Sequence, residues 1–294
     1  MRASEKFPRS AFKRNWTRNI IIVAGFQGIN SFGDVTTLGR GGSDTSAVAL
    51  AAAFHADLCQ IYTDVDGVYT ADPRVVPNAK KLPEITFADM LELASQSAQV
   101  LHNRSVELAK KYHVNMEVVS SLKNIPGTKV KEVIKLEKTN IGGVAKMDNF
   151  ARFSLVGLED CPGVAFKVFS LLSRHNVNVD IILQSVGRSG SKDISFTCPL
   201  SSLDDARRVL EENKDMLEYD SIEVDDNVAK ISLVGAGMMT HVGVASDMFE
   251  ALYDAGINIQ MIATSEIRIS VLVNKDDANR AIKVVHDKFS GNED

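Results

Sequence analysis

The sequence lacks the features that would set it apart from an ordinary globular chain. It has only three cysteines, Cys59, Cys161 and Cys198, odd in number and far apart. They make neither a disulfide framework nor a zinc pattern, and read as small buried thiols in a reducing cytosol. No long apolar run is present: the longest, Ala47 to Phe54, falls far short of the ~20 residues of a membrane-spanning helix. An excess of positive charge is missing too, since 33 Lys and Arg face 38 Asp and Glu for a formal charge of −5. That balance gives no electrostatic reason for a nucleic acid or an anionic membrane as partner. With hydrophobic residues at 45% and charged residues at 24%, a disordered or collagen-like chain is excluded, and 294 residues suffice for one to three domains.

Residues 1–18 stand apart as a basic leader, with Arg2, Lys6, Arg9, Lys13, Arg14 and Arg18 against one acid, Glu5. They carry no apolar stretch of the secretory kind. We read them as irregular, the mark of a truncation or an alternative start, in preference to an organelle presequence. From Ile20 the pattern becomes globular. Ile20–Val23 predicts a buried strand, Gly25-Phe26-Gln27-Gly28 a turn, and Leu38–Asp44 a loop opening an Ala-rich helix over Thr45–His55. A strand at Gln60–Thr63, helices near Phe87–Gln99 and Arg104–Lys111, a strand at Asn115–Val119 and a turn at Asn124–Thr128 continue the series. This alternation predicts an α/β domain with a mostly parallel sheet over residues 19–135.

The second half repeats itself. Phe153-Ser154-Leu155-Val156-Gly157 returns as Ile231-Ser232-Leu233-Val234-Gly235, and Gly163-Val164-Ala165 as Gly243-Val244-Ala245. Asn178–Ile182 returns as Asn258–Ile262, and Asp204-Asp205-Ala206 as Asp276-Asp277-Ala278. Each copy reads strand, turn, helix, strand, strand, helix, giving modules at 150–226 and 227–290. Two copies are too few for a solenoid, so they form a pair. The first copy has a fourth strand at Tyr219–Val224, whereas the second runs out of chain. Its missing strand is expected from Ile141–Met147, within a linker at 136–149, so that the first module is inserted in the second.

Two segments carry chemistry. In Gly39-Arg40-Gly41-Gly42-Ser43-Asp44, three glycines at a helix start let the backbone approach a ligand and aim free N–H groups at an anion. The guanidinium of Arg40 adds a planar fork for a carboxylate or phosphate. Asp44 could instead cap the helix, but an arginine between glycines serves capping poorly. The second segment, Tyr62–Arg74, is polar and turn-rich directly after a strand, where open α/β sheets place ligands. Its aspartates lack the spacing of a calcium loop, and turn chemistry alone accounts for Asp66-Gly67 and Asp72-Pro73. No metal-ligand cluster is read from the sequence.

Gly25–Gly28, the Gly39–Asp44 loop and Tyr62–Arg74 together resemble the C-terminal half of an aspartokinase catalytic domain, of the amino-acid kinase family. The repeat is similar to the paired ferredoxin-like βαββαβ modules, called ACT, that follow it. His241–Ala245 and Ser265–Ser270 fit the second of these. The likeness spans residues 20–290. It implies ATP-dependent phosphorylation of the aspartate β-carboxylate, the entry to lysine, threonine and methionine synthesis, with Mg²⁺ accompanying the ATP. By resemblance, Arg40, Gly41, Gly42, Ser43 and Asp44 bind the amino acid, Arg40 and Asp44 organising the transfer. Thr63, Asp64, Tyr69, Asp72 and Arg74 line the nucleotide pocket. Asp160, Gly163, Ala165, Gln184, Asn258 and Ile259 form the site of a feedback amino acid, lysine or threonine, in a cytoplasmic homodimer joined through the ACT modules.

Two departures from the family pattern matter. Its Lys-Phe-Gly-Gly-Thr-Ser segment, whose lysine stabilises the transferring phosphoryl group, has no counterpart: Lys6-Phe7 is followed by Pro8-Arg9. Where the family commonly has Gly-Ala-Lys before Val-Leu-His-Pro, this chain has Ser97-Ala98-Gln99 before Val100-Leu101-His102-Asn103. The chain alone is therefore expected to be inactive. The competing reading is a noncatalytic amino-acid-binding regulatory subunit of an aspartokinase. A glutamate or carbamate kinase is disfavoured by the ACT pair.

Overall fold

The computed structural model describes residues 19–95, 100–132, 142–186, 190–235, 238 and 242–290. The basic leader, Gln99, His241 and residues 136–141 of the 136–149 linker lie outside the described residues. The chain divides into two compact units, Met1–Ala145 with Val234–Val242 and Glu266–Arg268, and Lys146–Leu233 with Gly243–Ser265 and Ile269–Asp294.

In the first unit, β1 (Gln27–Ile29) and β2 (Val35–Thr37) make an exposed antiparallel ribbon. Helix α1 (Gly42–Phe54) follows, rich in alanine, the strongest helix former. It stops at His55, whose left-handed backbone (φ 51°) returns its N–H to the carbonyls of Ala51 and Ala52. Then come β3 (Cys59–Thr63), β4 (Glu84–Thr86), α2 (Phe87–Ser95), α3 (Asn103–Tyr112), β5 (Met116–Ser120) and β6 (Thr128–Lys131). The sheet order is β3-β5-β6-β4. Burial alternates along β3, with Cys59 and Ile61 inward and Gln60 and Tyr62 exposed, the pattern of a sheet covered on one face. Val48 and Ala51 of α1, Met90 of α2 and Val106 of α3 close the core over Ile61, Met116, Val118 and Val130.

Several expectations need correction. Ile20–Val23 is not a buried strand: Ile20 is 96% and Ile22 94% exposed, and among the described residues no ladder reaches them. An apolar run becomes an inner strand only when sheet neighbours flank it, and β3 holds an outer place in its sheet. The sheet is mixed. β3 with β5 and β4 with β6 are parallel, but β5 with β6 is antiparallel, because the short 121–127 connection leaves no room for a crossover. The helix expected at Thr45 begins at Gly42, since Gly41 ends the loop in a left-handed conformation. Cys161 is only half-buried, whereas Cys59 and Cys198 are buried as expected.

In the second half, β7 (Gly143–Met147) precedes β8 (Phe150–Glu159), α4 (Val164–Arg174), β9 (Ile182–Val186), β10 (Ser191–Pro199), α5 (Leu203–Glu212), α6 (Lys214–Leu217) and β11 (Ser221–Asp225). A second series follows: β12 (Val228–Val234), α7 (Val244–Asp254), β13 (Met261–Thr264), β14 (Arg268–Asn274) and α8 (Ala278–Ser290). The sheets are ordered β11-β8-β10-β9 and β13-β14-β12-β7. Each keeps its first strand beside its third, and β7 takes the fourth-strand position next to β12 that β11 takes next to β8.

Side chains repeat with the topology. Ser154 and Ser195 share a hydroxyl hydrogen bond of 2.9 Å across β8 and β10, and Ser232 and Ser270 one of 2.8 Å across β12 and β14. The glycines before α4 and α7, Gly163 and Gly243, both cap their helices at positive φ, 98° and 107°. In the first module, Phe153 stacks on Phe196 at 5.3 Å between centroids and Phe169 meets it edge-on at 5.7 Å. Each such pair adds roughly 0.5–1.5 kcal/mol beyond burial.

Candidate functional site

The Gly39–Asp44 loop is held by hydrogen bonds from the helix it opens and by packing against Leu38 and Phe26. The Phe26 N–H donates to Ser46 Oγ at 3.1 Å, and the Ser46 and Thr45 hydroxyls donate to the carbonyls of Gly42 and Gly41, each at 2.8 Å. Gly42 is buried, and a Cβ there would fall 2.7 Å from Leu38 and 2.9 Å from the Phe26 ring. Gly41 caps α1 at φ 72° with no side-chain hydrogen bond to the helix start. Asp44 therefore does not cap the helix. It lies in the first turn beside Ser43, whose Oγ is 3.4 Å from its carboxylate. Arg40 is exposed. A helix start without a side-chain cap beside the exposed Arg40 favours a bound anion.

The Tyr62–Arg74 segment is a folded turn. Thr63, ending β3, donates to Asp64 at 3.0 Å, and its carbonyl accepts from the N–H and Oγ of Ser121 at 2.7 and 2.9 Å. Buried Thr128 pins the middle: its Oγ1 accepts from the Val68 N–H at 2.8 Å and donates to the Leu82 carbonyl at 2.6 Å. Lys123 pairs with Asp66 at 2.9 Å, and this hydrogen bond holds the Asp66 carboxyl below the usual carboxylate range. Tyr69 bridges to Lys81. Arg74 places its Nε 3.0 Å and Nη2 2.8 Å from the two oxygens of Asp72, so these two expected nucleotide residues hold one another. Burial, then the negative charge of Asp44, pushes the Cys59 thiol up, which makes it a poor nucleophile.

Of the expected effector residues, Asp160 pairs with Lys192 at 3.4 Å, and Gly163 with Ala165 opens α4, again without a side-chain cap. Gln184 is exposed and stands in the middle of β9, opposite Ile194. Asn258 is exposed and Ile259 half-buried.

Sequence reasoning missed what supports the Arg40 loop. His102 and Arg104, at the start of α3, contact it across some sixty residues of chain. The signal was present only as Val100-Leu101-His102, whose neighbour Asn103 breaks the family spelling. Thr128 was placed in a turn, with nothing local to reveal its two loop contacts.

Residues 5–120 match the model of the amino acid kinase family, a match that reaches back into the stretch read as a leader. Residues 153–213 and 231–289 match the ACT domain. The chain is 50% identical over 276 residues to the aspartokinase of Corynebacterium efficiens, covering 92% of this chain and 66% of that one. It is 49% identical over 282 residues to that of Corynebacterium glutamicum, covering 94% and 67%. Among solved structures it superposes on E. coli aspartokinase III in complex with aspartate and ADP, with a TM-score of 0.80 and 31% identity over 96% of this chain and 63% of that one. The same enzyme in complex with lysine and aspartate gives a TM-score of 0.76 at 31% identity, over 95% and 62%. The chain thus spans about two thirds of the length of the relatives it matches. With one match to the amino acid kinase family and two to ACT in that order, and half its residues identical over nearly all its length, this chain belongs to the aspartokinase family.

Proposed function

We propose that the chain serves the ATP-dependent phosphorylation of L-aspartate to 4-phospho-L-aspartate, the entry to lysine, threonine and methionine synthesis, under feedback control through its ACT modules. The observation that carries this reading is Arg40, exposed within a glycine loop at an uncapped helix start. A carboxylate of aspartate accepts from the Arg40 fork and the N–H groups of the first turn. The β-carboxylate oxygen then attacks the γ-phosphorus of ATP as the bond to the ADP oxygen breaks. Transfer between two anions requires fixed positive charge and oriented donors, and both are in this loop. Ser43 and Asp44 orient the amino acid. Thr63, Asp64 and Tyr69 face the nucleotide, and the Asp72–Arg74 pair shapes the end of that turn.

Among the described residues no three His, Cys, Asp or Glu side chains form a metal cluster. Mg²⁺ therefore fits here as a passenger on the ATP phosphates, held by them and by at most one or two carboxylates. Bound, it offsets charge between the two anions.

The second unit supplies the regulatory half of the reading. Asp160, Gly163, Ala165 and Gln184 hold the feedback amino acid, with Asn258 and Ile259 from the partner of a cytoplasmic homodimer. Solved complexes of E. coli aspartokinase III with aspartate, ADP and lysine support these ligand classes. Calorimetric titration of the chain with Mg·ADP, L-aspartate, L-lysine and L-threonine tests the proposal. Binding of nucleotide and aspartate together with one effector supports it. Effector binding alone supports a noncatalytic regulatory subunit instead.

A further inference from the structure

The start of α3 touches the Arg40 loop through two residues, the N-cap His102 and Arg104. Arg104 Nη2 donates to the Leu38 carbonyl at 3.1 Å and to the Arg40 carbonyl at 3.2 Å. One guanidinium thereby ties the backbone on both sides of Gly39. Next to it, the His102 side chain fills the space beside Gly41, where an added Cβ would fall 2.3 Å from both its Cβ and its Cγ. His102 is itself fixed: its Nδ1 accepts from the Arg104 N–H at 3.3 Å, and its carbonyl accepts from Ser105 Oγ at 2.6 Å.

We propose that Arg104 and His102 are positioning residues that hold the Arg40 loop in its anion-binding conformation. This deepens the reading of the loop as the aspartate site and rests on it. A chain segment with left-handed residues at Gly39 (φ 75°) and Gly41 (φ 72°) is entropically costly to hold. It stays open to an anion only if something outside it fixes the carbonyls away from the ligand. Arg104 does this by binding two of them through the two N–H groups of one guanidinium nitrogen, Nη2. Arg104 also leaves a fixed positive charge behind the loop, which favours an anion, and the small dicarboxylate is that of the proposed function.

Amide hydrogen exchange tests the clamp without any ligand. The N–H groups of Gly42 and Thr45 are bonded to the carbonyls of Gly39 and Gly41, at 2.9 and 3.1 Å, and report whether the loop is closed. In Arg104→Ala their exchange should quicken about 10- to 100-fold, the worth of a lost charged hydrogen bond. Arg104→Lys, which keeps the charge and is the milder variant for folding, should restore part of that protection. Amides in β5 should not change in either variant. Unchanged exchange at Gly42 and Thr45 in both variants would overturn the proposal. Titration with L-aspartate separates the two readings. If exchange quickens but the unmodified chain takes up no aspartate, the clamp stands and the aspartate reading fails. If aspartate affinity drops while exchange stays the same, Arg104 acts on the ligand directly and the positioning role is refuted.

Discussion

Lys230, in β12 of the second module and 2% exposed, directs its ammonium to the carboxylate of Asp180, which precedes β9 of the first module, and lies 5.9 Å from the centroid of the Phe150 ring. A buried cation needs a partner, so this pair fixes one module against the other within a single unit. Removing the acid takes away the carboxylate that offsets the buried charge. Because Asp180 is itself half-exposed, Asp180→Ala is expected to cost about 1–3 kcal/mol, below the loss for a fully buried pair. Urea denaturation measures it, and Lys230→Met, which removes the charge altogether, should cost less than Asp180→Ala.

Thr128 makes a prediction for the nucleotide turn. Thr128→Val keeps the shape but strands the Val68 N–H and the Leu82 carbonyl, at a cost of roughly 1–3 kcal/mol. Loosening should spread to Tyr69, so Mg·ADP affinity should fall in the same variant, as calorimetry would show.

Asp89 gives the chain a pH dependence. It sits at the third position of α2, where its N–H and carboxylate both engage Thr86 Oγ1, at 3.0 and 2.8 Å. Its other oxygen is buried without a hydrogen-bond partner. Burial raises its pKa, opposed by the Thr86 hydrogen bond and helped by nearby Glu92. The folded state thus binds the proton more tightly than the unfolded state. This contribution to stability is fully present below the unfolded value of about 3.9 and is lost as pH rises through the raised folded value. Denaturation midpoints of Asp89→Asn relative to the unmodified chain should therefore improve from pH 4 to pH 7. A flat difference would contradict this account of Asp89.

A fourth prediction concerns turnover. These 294 residues contain no Lys-Phe-Gly-Gly-Thr-Ser segment, and loss of one preorganised transition-state charge costs on the order of 10²–10³ in rate. A hydroxamate or ADP-coupled assay on this polypeptide alone should detect no aspartyl phosphate. Robust product formation would show that another group supplies that charge.

How much of this was legible beforehand follows from how local each signal is. Helix α1 and the paired modules were readable because alanine content and repeated apolar spacing are properties of short windows. The repeat even left a count of strands that pointed to Gly143–Met147. Ile20–Val23 misled for the opposite reason: its composition is that of an inner strand, but a strand exists only where neighbours accept its hydrogen bonds. β4 and β6 were missed because three- and four-residue strands carry too little periodicity. Within the site, Arg40 and its glycines were evident, whereas Arg104 and His102 became visible only through their contacts, which link positions far apart in the chain.

The most direct test of the account is an amide chemical-shift map of the chain titrated with L-aspartate in the presence of Mg·ADP. The account predicts that Gly41, Gly42, Ser43 and Asp44 shift together, and that Arg40→Ala abolishes those shifts. Shifts confined to the neighbourhood of Gly163 and Asn258, with the Arg40 loop unmoved, would contradict it.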